Sequence, residues 1–267
     1  MPSLPVIRHA SPFFRDGFLS MTIIGKSGCG KTRMLASILP GISPSIKTIV
    51  IATVIKGVPL HIAIKNYFQK KGLLCGIEYE PDTLRRFVQM AEEYGQVSLD
   101  KQGLIIFDDF NTGRATGPYW DFTIHAFTKL RNSGWNFIIL SQQPSFVPTI
   151  VRNCTTSRVL FDCYSKSALT TFTRDVADRI PDRNAYNSLL EYIQRIPYSY
   201  ILIQEHPFEV SAGSLDKFKP VMNESIVMIP TLHELMTEMG VKTREQLDKK
   251  SASLQLQAGN TATQLSL

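Results

Sequence analysis

Three short stretches of this chain hold residue types whose spacing could do chemistry, and the first is Gly25-Lys26-Ser27-Gly28-Cys29-Gly30-Lys31-Thr32. Glycines at 25, 28 and 30 let the backbone curl until successive N–H groups point inward at an anion. All eight positions fit G-x-x-x-x-G-K-[ST], in which the lysine reaches the β- and γ-phosphates of a nucleotide and the hydroxyl binds Mg²⁺. Gly25 to Thr32 are therefore assigned to the phosphates of ATP, with Lys31 on the terminal phosphates and Thr32 on the metal. Cys29 lies inside this loop, which makes sensitivity to thiol reagents an expectation.

The second stretch, Leu104-Ile105-Ile106-Phe107-Asp108-Asp109, is an apolar run that ends in two carboxylates. An acid at the carboxyl end of a strand lies beside a phosphate loop when the two strands are neighbours. Asp108 there holds Mg²⁺ through water, and Asp109 orients or deprotonates the attacking water. The tandem favours hydrolysis over transfer to a small acceptor. In the third stretch, Ile138 to Pro144, a strand runs out into amides. That places Gln142, or its neighbour Gln143, near the γ-phosphate, where it can sense hydrolysis. Arg131, at the end of the preceding helix, and Arg152 are alternative arginine fingers for a neighbouring subunit's site.

Positioning these groups requires strands and helices in alternation. Apolar runs at 18–24, 48–55, 104–107, 135–140, 158–161 and 199–203 read as strands. Helical spacing appears over Lys31–Leu39, then at Leu84, Phe87, Val88 and Ala91, at Trp120, Ile124 and Phe127, and at Tyr186, Leu189, Leu190 and Ile193. Continuous apolar strands between helices argue an α/β fold with a mostly parallel central sheet covered by helices on both faces. The expected organisation is an N-terminal arm at 1–17, a core at 18–210, an appendage with an amphipathic helix at 211–249, and a tail at 250–267 that awaits a partner.

Composition excludes several classes. With 43% hydrophobic and 19% charged residues the chain is globular. Lys and Arg number 29 against 23 acids, a net charge of +6 that suits contact with phosphate backbones without demanding it. Four scattered cysteines form no metal or disulfide pattern. The five histidines have no ligand or triad spacing and are assigned nothing. The N-terminal sequence lacks a signal peptide's apolar stretch, and no run of about 18 apolar residues spans a membrane, so the expectation is an intracellular protein without a membrane partner.

The order GKSGCGKT, LIIFDDF, a helix with Leu130-Arg131-Asn132, FIILSQQ and VPTIVRNCTTSRVLF resembles the poxvirus-type genome-packaging ATPases of large DNA viruses and virophages, in the FtsK–HerA superfamily. The resemblance covers residues 18–165, and the block after the fourth strand is its most specific part. It implies an additional-strand (RecA/FtsK-like) P-loop fold. It also implies a homo-oligomeric ring of about five or six subunits. Such a ring pumps double-stranded DNA, without reading sequence, into a preformed capsid. A capsid or vertex protein is the implied partner, and an infected cell's cytoplasm, virus factory or nucleus, or the virion, the implied location. Lys31 and Thr32 match the family's loop lysine and hydroxyl, Asp108 and Asp109 its tandem acids, Gln142 its strand-end glutamine and Arg152 the arginine after Val-Pro. Arg131 matches an Arg-His pair in which Asn132 here replaces the histidine.

Channel contacts to phosphates call for mobile cations, and the candidates are Lys65, Lys70 and Lys71, with Arg85 and Arg86; Tyr67 and Phe68 between them read as core. Three other readings remain at this stage: a non-packaging DNA pump of the same superfamily, a P-loop small-molecule kinase, and a nucleotide-gated assembly factor.

Overall fold

Thr48-Ile49-Val50-Ile51-Ala52-Thr53 forms a strand whose alternate side chains serve two different cores. Ile49 and Ile51 pack on one side and Val50 and Ala52 on the other, all wholly buried. A strand covered on both faces must be apolar throughout, which is why it reads as a continuous run. The computed structural model describes residues 19–43, 45–97, 103–109, 118–130, 134–163, 165–180, 182–205 and 208–215. The expected arm at 1–17, Arg131, the appendage beyond 215 and the tail at 250–267 lie outside the described residues.

The elements run β1 (Ser20–Ile24), α1 (Lys31–Ile38), β2 (Thr48–Thr53), α2 (Pro59–Lys70), β3 (Leu74–Glu78), α3 (Pro81–Val97), β4 (Gly103–Asp108), α4 (Pro118–Lys129), β5 (Trp135–Ser141), α5 (Thr149–Asn153), β6 (Ser157–Phe161), α6 (Lys166–Arg174), α7 (Arg183–Arg195), β7 (Ser199–Glu205) and β8 (Phe208–Ser214). They build an eight-stranded sheet in the order β3-β2-β4-β5-β1-β6-β7-β8. The pairs from β3 to β6 are parallel, and β7 and β8 close the far edge antiparallel. Helices α1 and α2 cover one face, and α3, α4, α6 and α7 the other. This is the α/β, mostly parallel P-loop architecture that the motifs imply. Among the described residues no helix is long and apolar enough to cross a membrane.

Two differences from the sequence reading have local causes, and strand order adds a third feature, which the additional-strand resemblance implied. The second strand stops at Thr53, and Val54 and Ile55 are exposed at 44% and 47%. Strands β3 and β8 escape an apolar-run criterion because they contain Gly76, Gly213 and several polar residues. The phosphate-loop strand β1 and the acid-bearing β4 are not neighbours, because β5 is inserted between them. That insertion is the additional strand, and it sets Ser141 level with Ile24 and Leu140 level with Asp108. The carboxyl ends of β1, β5 and β4 thus come together at one edge of the sheet.

Candidate nucleotide site

Backbone bonds fix the start of the loop after β1 to two neighbouring segments. Gly25 N–H donates to Ser141 O at 3.1 Å and Lys26 N–H to Asp162 O at 2.9 Å. The Lys26 ammonium also pairs with the Asp162 carboxylate. Gly28 and Gly30 have φ of 75° and 104°, a left-handed backbone that side chains rarely adopt. Helix α1 begins at Lys31 with no acid in its first turn, so the positive end of its dipole is left to an anion. Lys31 is buried, and its ammonium donates to Gly25 O at 2.9 Å and Lys26 O at 3.2 Å. The cation is thereby held across the mouth of its own loop.

From the adjoining strand end, Asp108 accepts from the Thr32 hydroxyl at 3.1 Å. A hydroxyl and a carboxylate face to face are the hard oxygen donors Mg²⁺ prefers, and this pair fits that ion. The same Asp108 oxygen lies 2.6 Å from His61 Nε2, and the two side chains are 3% and 6% exposed. His61 comes from α2, and its Nδ1 has no hydrogen-bond partner among the described residues. Sequence reading passed over His61 because it pairs with a residue far along the chain. The one available signal was Pro59, a helix-opening residue that sets the following turn against the strand ends.

Asp109 leaves the strand with φ 45°, its N–H donating to Leu140 O at 3.3 Å. Gln142 Nε2 donates to Asp109 Oδ2 at 3.4 Å. Burial pushes the Asp109 carboxyl above its ordinary value; Lys31 opposes that, Asp108 adds to it, and the Gln142 hydrogen bond and His61 oppose it. Gln143, the rival to Gln142, instead accepts from Ser141 Oγ and Ser145 Oγ within the following turn. Lys31, Thr32, Asp108, Asp109 and Gln142 are therefore brought to one place, joined by His61.

Arg152 is not part of that group. It is buried, and its Nε donates to Asp175 at 2.6 Å, its Nη1 to Pro144 O and Val147 O, and its Nη2 to Thr149. A finger reaching a neighbouring subunit needs an exposed guanidinium with unused donors. Arg152 instead braces the turn that follows Gln142. Cys29 is buried as well, and burial raises its thiol, which disfavours the reactive thiolate. The two groups of candidate DNA-contacting cations occupy opposite faces, Lys65, Lys70 and Lys71 with α2, and Arg85 and Arg86 with α3.

Comparison with known proteins follows the same lines. Residues 21–174, more than half of the chain, match the family described as zonular occludens toxin (Zot). Among solved structures, the genome packaging NTPase B204 from Sulfolobus turreted icosahedral virus 2, in complex with ATP-γS, is 12% identical with a TM-score of 0.50, covering 78% of this chain and 100% of that chain. EssC (ATPases 2 and 3) from Geobacillus thermodenitrificans is 12% identical with a TM-score of 0.53, covering 85% of this chain and 44% of that one. The pCW3 conjugation coupling protein TcpA, with ATPγS, is 13% identical with a TM-score of 0.52, covering 76% and 62%. At these identities the likeness is one of fold. No curated protein matches the chain.

Proposed function

The chain belongs to the zonular occludens toxin family; from that premise we propose that it is a P-loop ATPase of the FtsK–HerA superfamily, an ATP-driven double-stranded DNA translocase that packages a viral genome into a preformed capsid. The observation that carries the hydrolytic half of this reading is the set of contacts joining Lys31, Thr32, Asp108, Asp109 and Gln142 at the carboxyl ends of β1, β4 and β5. The packaging half is supported by the likeness of fold to the viral genome packaging NTPase, whose whole length the match covers.

In that reading the loop amides of Gly25 to Thr32 receive the phosphates, and the Lys31 ammonium exchanges the Gly25 and Lys26 carbonyls for phosphate oxygens. Thr32 and Asp108 would hold Mg²⁺, which would supply charge neutralisation for the terminal phosphates. His61 fixes the Asp108 oxygen that both share. Asp109, a stronger base than an ordinary aspartate, orients the attacking water and accepts its proton. Gln142 reports the state of Asp109 to the turn that Arg152 braces. Subunits form a homo-oligomeric ring around the duplex, and with Arg152 occupied inside its own subunit, Arg131 is the arginine left to act in trans. A capsid or vertex protein is the docking partner, in an infected cell.

Steady-state ATP hydrolysis tests this reading, in wild type, Lys31→Ala and Asp109→Asn, with and without long duplex DNA, and with a nucleoside acceptor. Turnover stimulated by duplex and reduced about 100-fold or more in both variants is the expected result. Turnover indifferent to DNA would sink the packaging reading, and turnover that requires the acceptor would make the protein a kinase.

A further inference from the structure

Tyr198 shares an unusual backbone with only one other described side chain-bearing residue, Asp109. Its φ is 58°, in the left-handed region that L side chains rarely adopt. It sits in the turn Ile196-Pro197-Tyr198-Ser199, where Ser199 N–H donates to Ile196 O at 3.3 Å. Proline second and a positive φ third is the pattern of a type II turn, whose third position ordinarily takes glycine or asparagine. The conformation is enforced from both sides. Ile196 N–H donates to Tyr192 O at 3.0 Å, and Leu215 N–H donates to Tyr198 O at 3.0 Å. A strained residue that its surroundings hold in place is an observation from which function can be sought.

What the strain positions is an aromatic ring beside the phosphate loop. A Cβ built on Gly30 would lie 3.3 Å from Tyr198 Cδ1, so the ring meets the loop's last glycine. The ring is not core, since Tyr198 is 41% exposed and Ile196 beside it 39%. Between this turn and the loop lies a cleft of about 260 Å³, lined by Lys26, Gly28 and Cys29 on one side and by Ile196 and Tyr198 on the other. Buried Ile193 and Phe161 contribute apolar walls. A cleft of that size admits a ring system and not a whole nucleotide. It opens onto the same loop whose inner side is built for phosphates.

We infer that this cleft receives the nucleobase of the bound nucleotide, with the Tyr198 ring as the surface on which the base stacks. The inference rests on the nucleotide-site reading above and adds a residue that no phosphate-binding motif contains. A flat aromatic is sequence-tolerant as a base platform, because every base presents a π-face.

The test separates base from phosphate. Equilibrium binding of Mg·ATPγS and of Mg·tripolyphosphate is measured on the full chain for wild type, Tyr198→Ala, Tyr198→Phe and Lys31→Ala. Loss of one stacked base is expected to weaken ATPγS by about tenfold in Tyr198→Ala, with tripolyphosphate unchanged and Tyr198→Phe close to wild type. Lys31→Ala is expected to weaken both ligands. Should Tyr198→Ala fail to fold, Ile196→Ser, in the same turn, carries the comparison with the same expected selectivity. Equal loss of both ligands would make the ring a mere buttress of the loop and overturn the inference, as would no change in either. Wild-type protein that binds neither ligand would overturn the nucleotide-site reading and this inference together. Tripolyphosphate binding that depends on Lys31, with ATPγS held no more tightly, would leave that reading standing and overturn this one.

Discussion

Adjacent carboxylates with the same intrinsic acidity end up in different surroundings. Asp108 shares one oxygen between the Thr32 hydroxyl and the His61 ring, while Asp109 turns out of the strand toward Gln142. Burial raises the Asp109 value, and the Gln142 hydrogen bond counts against that rise. The working form is the carboxylate, so the acid limb of kcat/KM is expected above the ordinary aspartate value of about 3.9. In Gln142→Ala the opposing bond is gone, and the limb moves to still higher pH. A pH–rate profile identical in the two proteins would disconnect Gln142 from Asp109. For stability the sign is the opposite of a salt-bridged acid. The folded chain holds the Asp109 proton more tightly than the unfolded chain, so its contribution is lost as pH rises through the folded value. Asp109→Asn, which cannot ionise and tolerates positive φ, is expected to abolish turnover yet raise Tm by roughly 1–3 °C at neutral pH in a thermal scan. His61 gives a separate outcome. Partners that orient a metal ligand are worth about 10- to 100-fold in metal affinity. His61→Ala should raise the Mg²⁺ concentration for half-maximal turnover by that factor, with His61→Asn recovering part of it; an unchanged Mg²⁺ requirement would reduce the contact to packing.

At the scale of elements, legibility tracked how local each signal is. The loop Gly25–Thr32, the acids after Phe107 and the amides after Leu140 are short patterns complete within one strand end, and they could be read directly. The helix stripe Leu84, Phe87, Val88 and Ala91 lies wholly in one core, as its spacing requires. Strand order is not local. Most of the parallel strands are apolar runs with no mark of their neighbours, so nothing in β1 or β4 foretells that β5 separates them. Strand β8 has its place through a contact across the sheet, where the Tyr200 ring occupies the space a Cβ on Gly213 would need. His61 escaped for the same reason, a histidine without ligand spacing that meets its partner far along the chain; Arg152 was singled out, but its bonds to the Pro144 and Val147 carbonyls and to Asp175 follow from how the chain turns rather than from a motif. Arg152→Met tests the bracing role. It leaves the half-buried Asp175 and the Val147 carbonyl without their Arg152 donor, while Pro144 O keeps only Val147 N–H. Breaking a buried pair in this way costs about 3 kcal/mol, to be read from urea unfolding. A stability close to wild type would free Arg152 for a role between subunits.

On the scale of the molecule, the proposed DNA-pumping function requires the state of the nucleotide to reach a cationic surface, and α2 is the element that touches both. Its first turn places His61 on Asp108, and its last residue is the exposed Lys70, followed by Lys71, whose ammonium rides on the Tyr67 ring at 4.4 Å. The two ends are about 14 Å apart along a continuous helix. Ile64 and Phe68 bury its inner face against the core that also holds α1, so the helix is free to move only as a unit with its surroundings. The Arg85 and Arg86 group is on the other face, and Arg85 already pairs with Asp82 at 3.0 Å. Among these cations the α2 end is thus the one that shares a helix with a residue touching Asp108. Lys70→Glu with Lys71→Glu is expected to remove duplex stimulation of ATP turnover while DNA-free turnover stays at the wild-type rate. With two lysines no longer neutralising DNA phosphates, the slope of log K against log salt should also become shallower by about 1.8. Arg85→Glu with Arg86→Glu should change neither quantity. If the α3 pair abolishes stimulation and the α2 pair does not, the duplex runs on the opposite face and the path from Asp108 must lie through β5 and the turn that Arg152 holds.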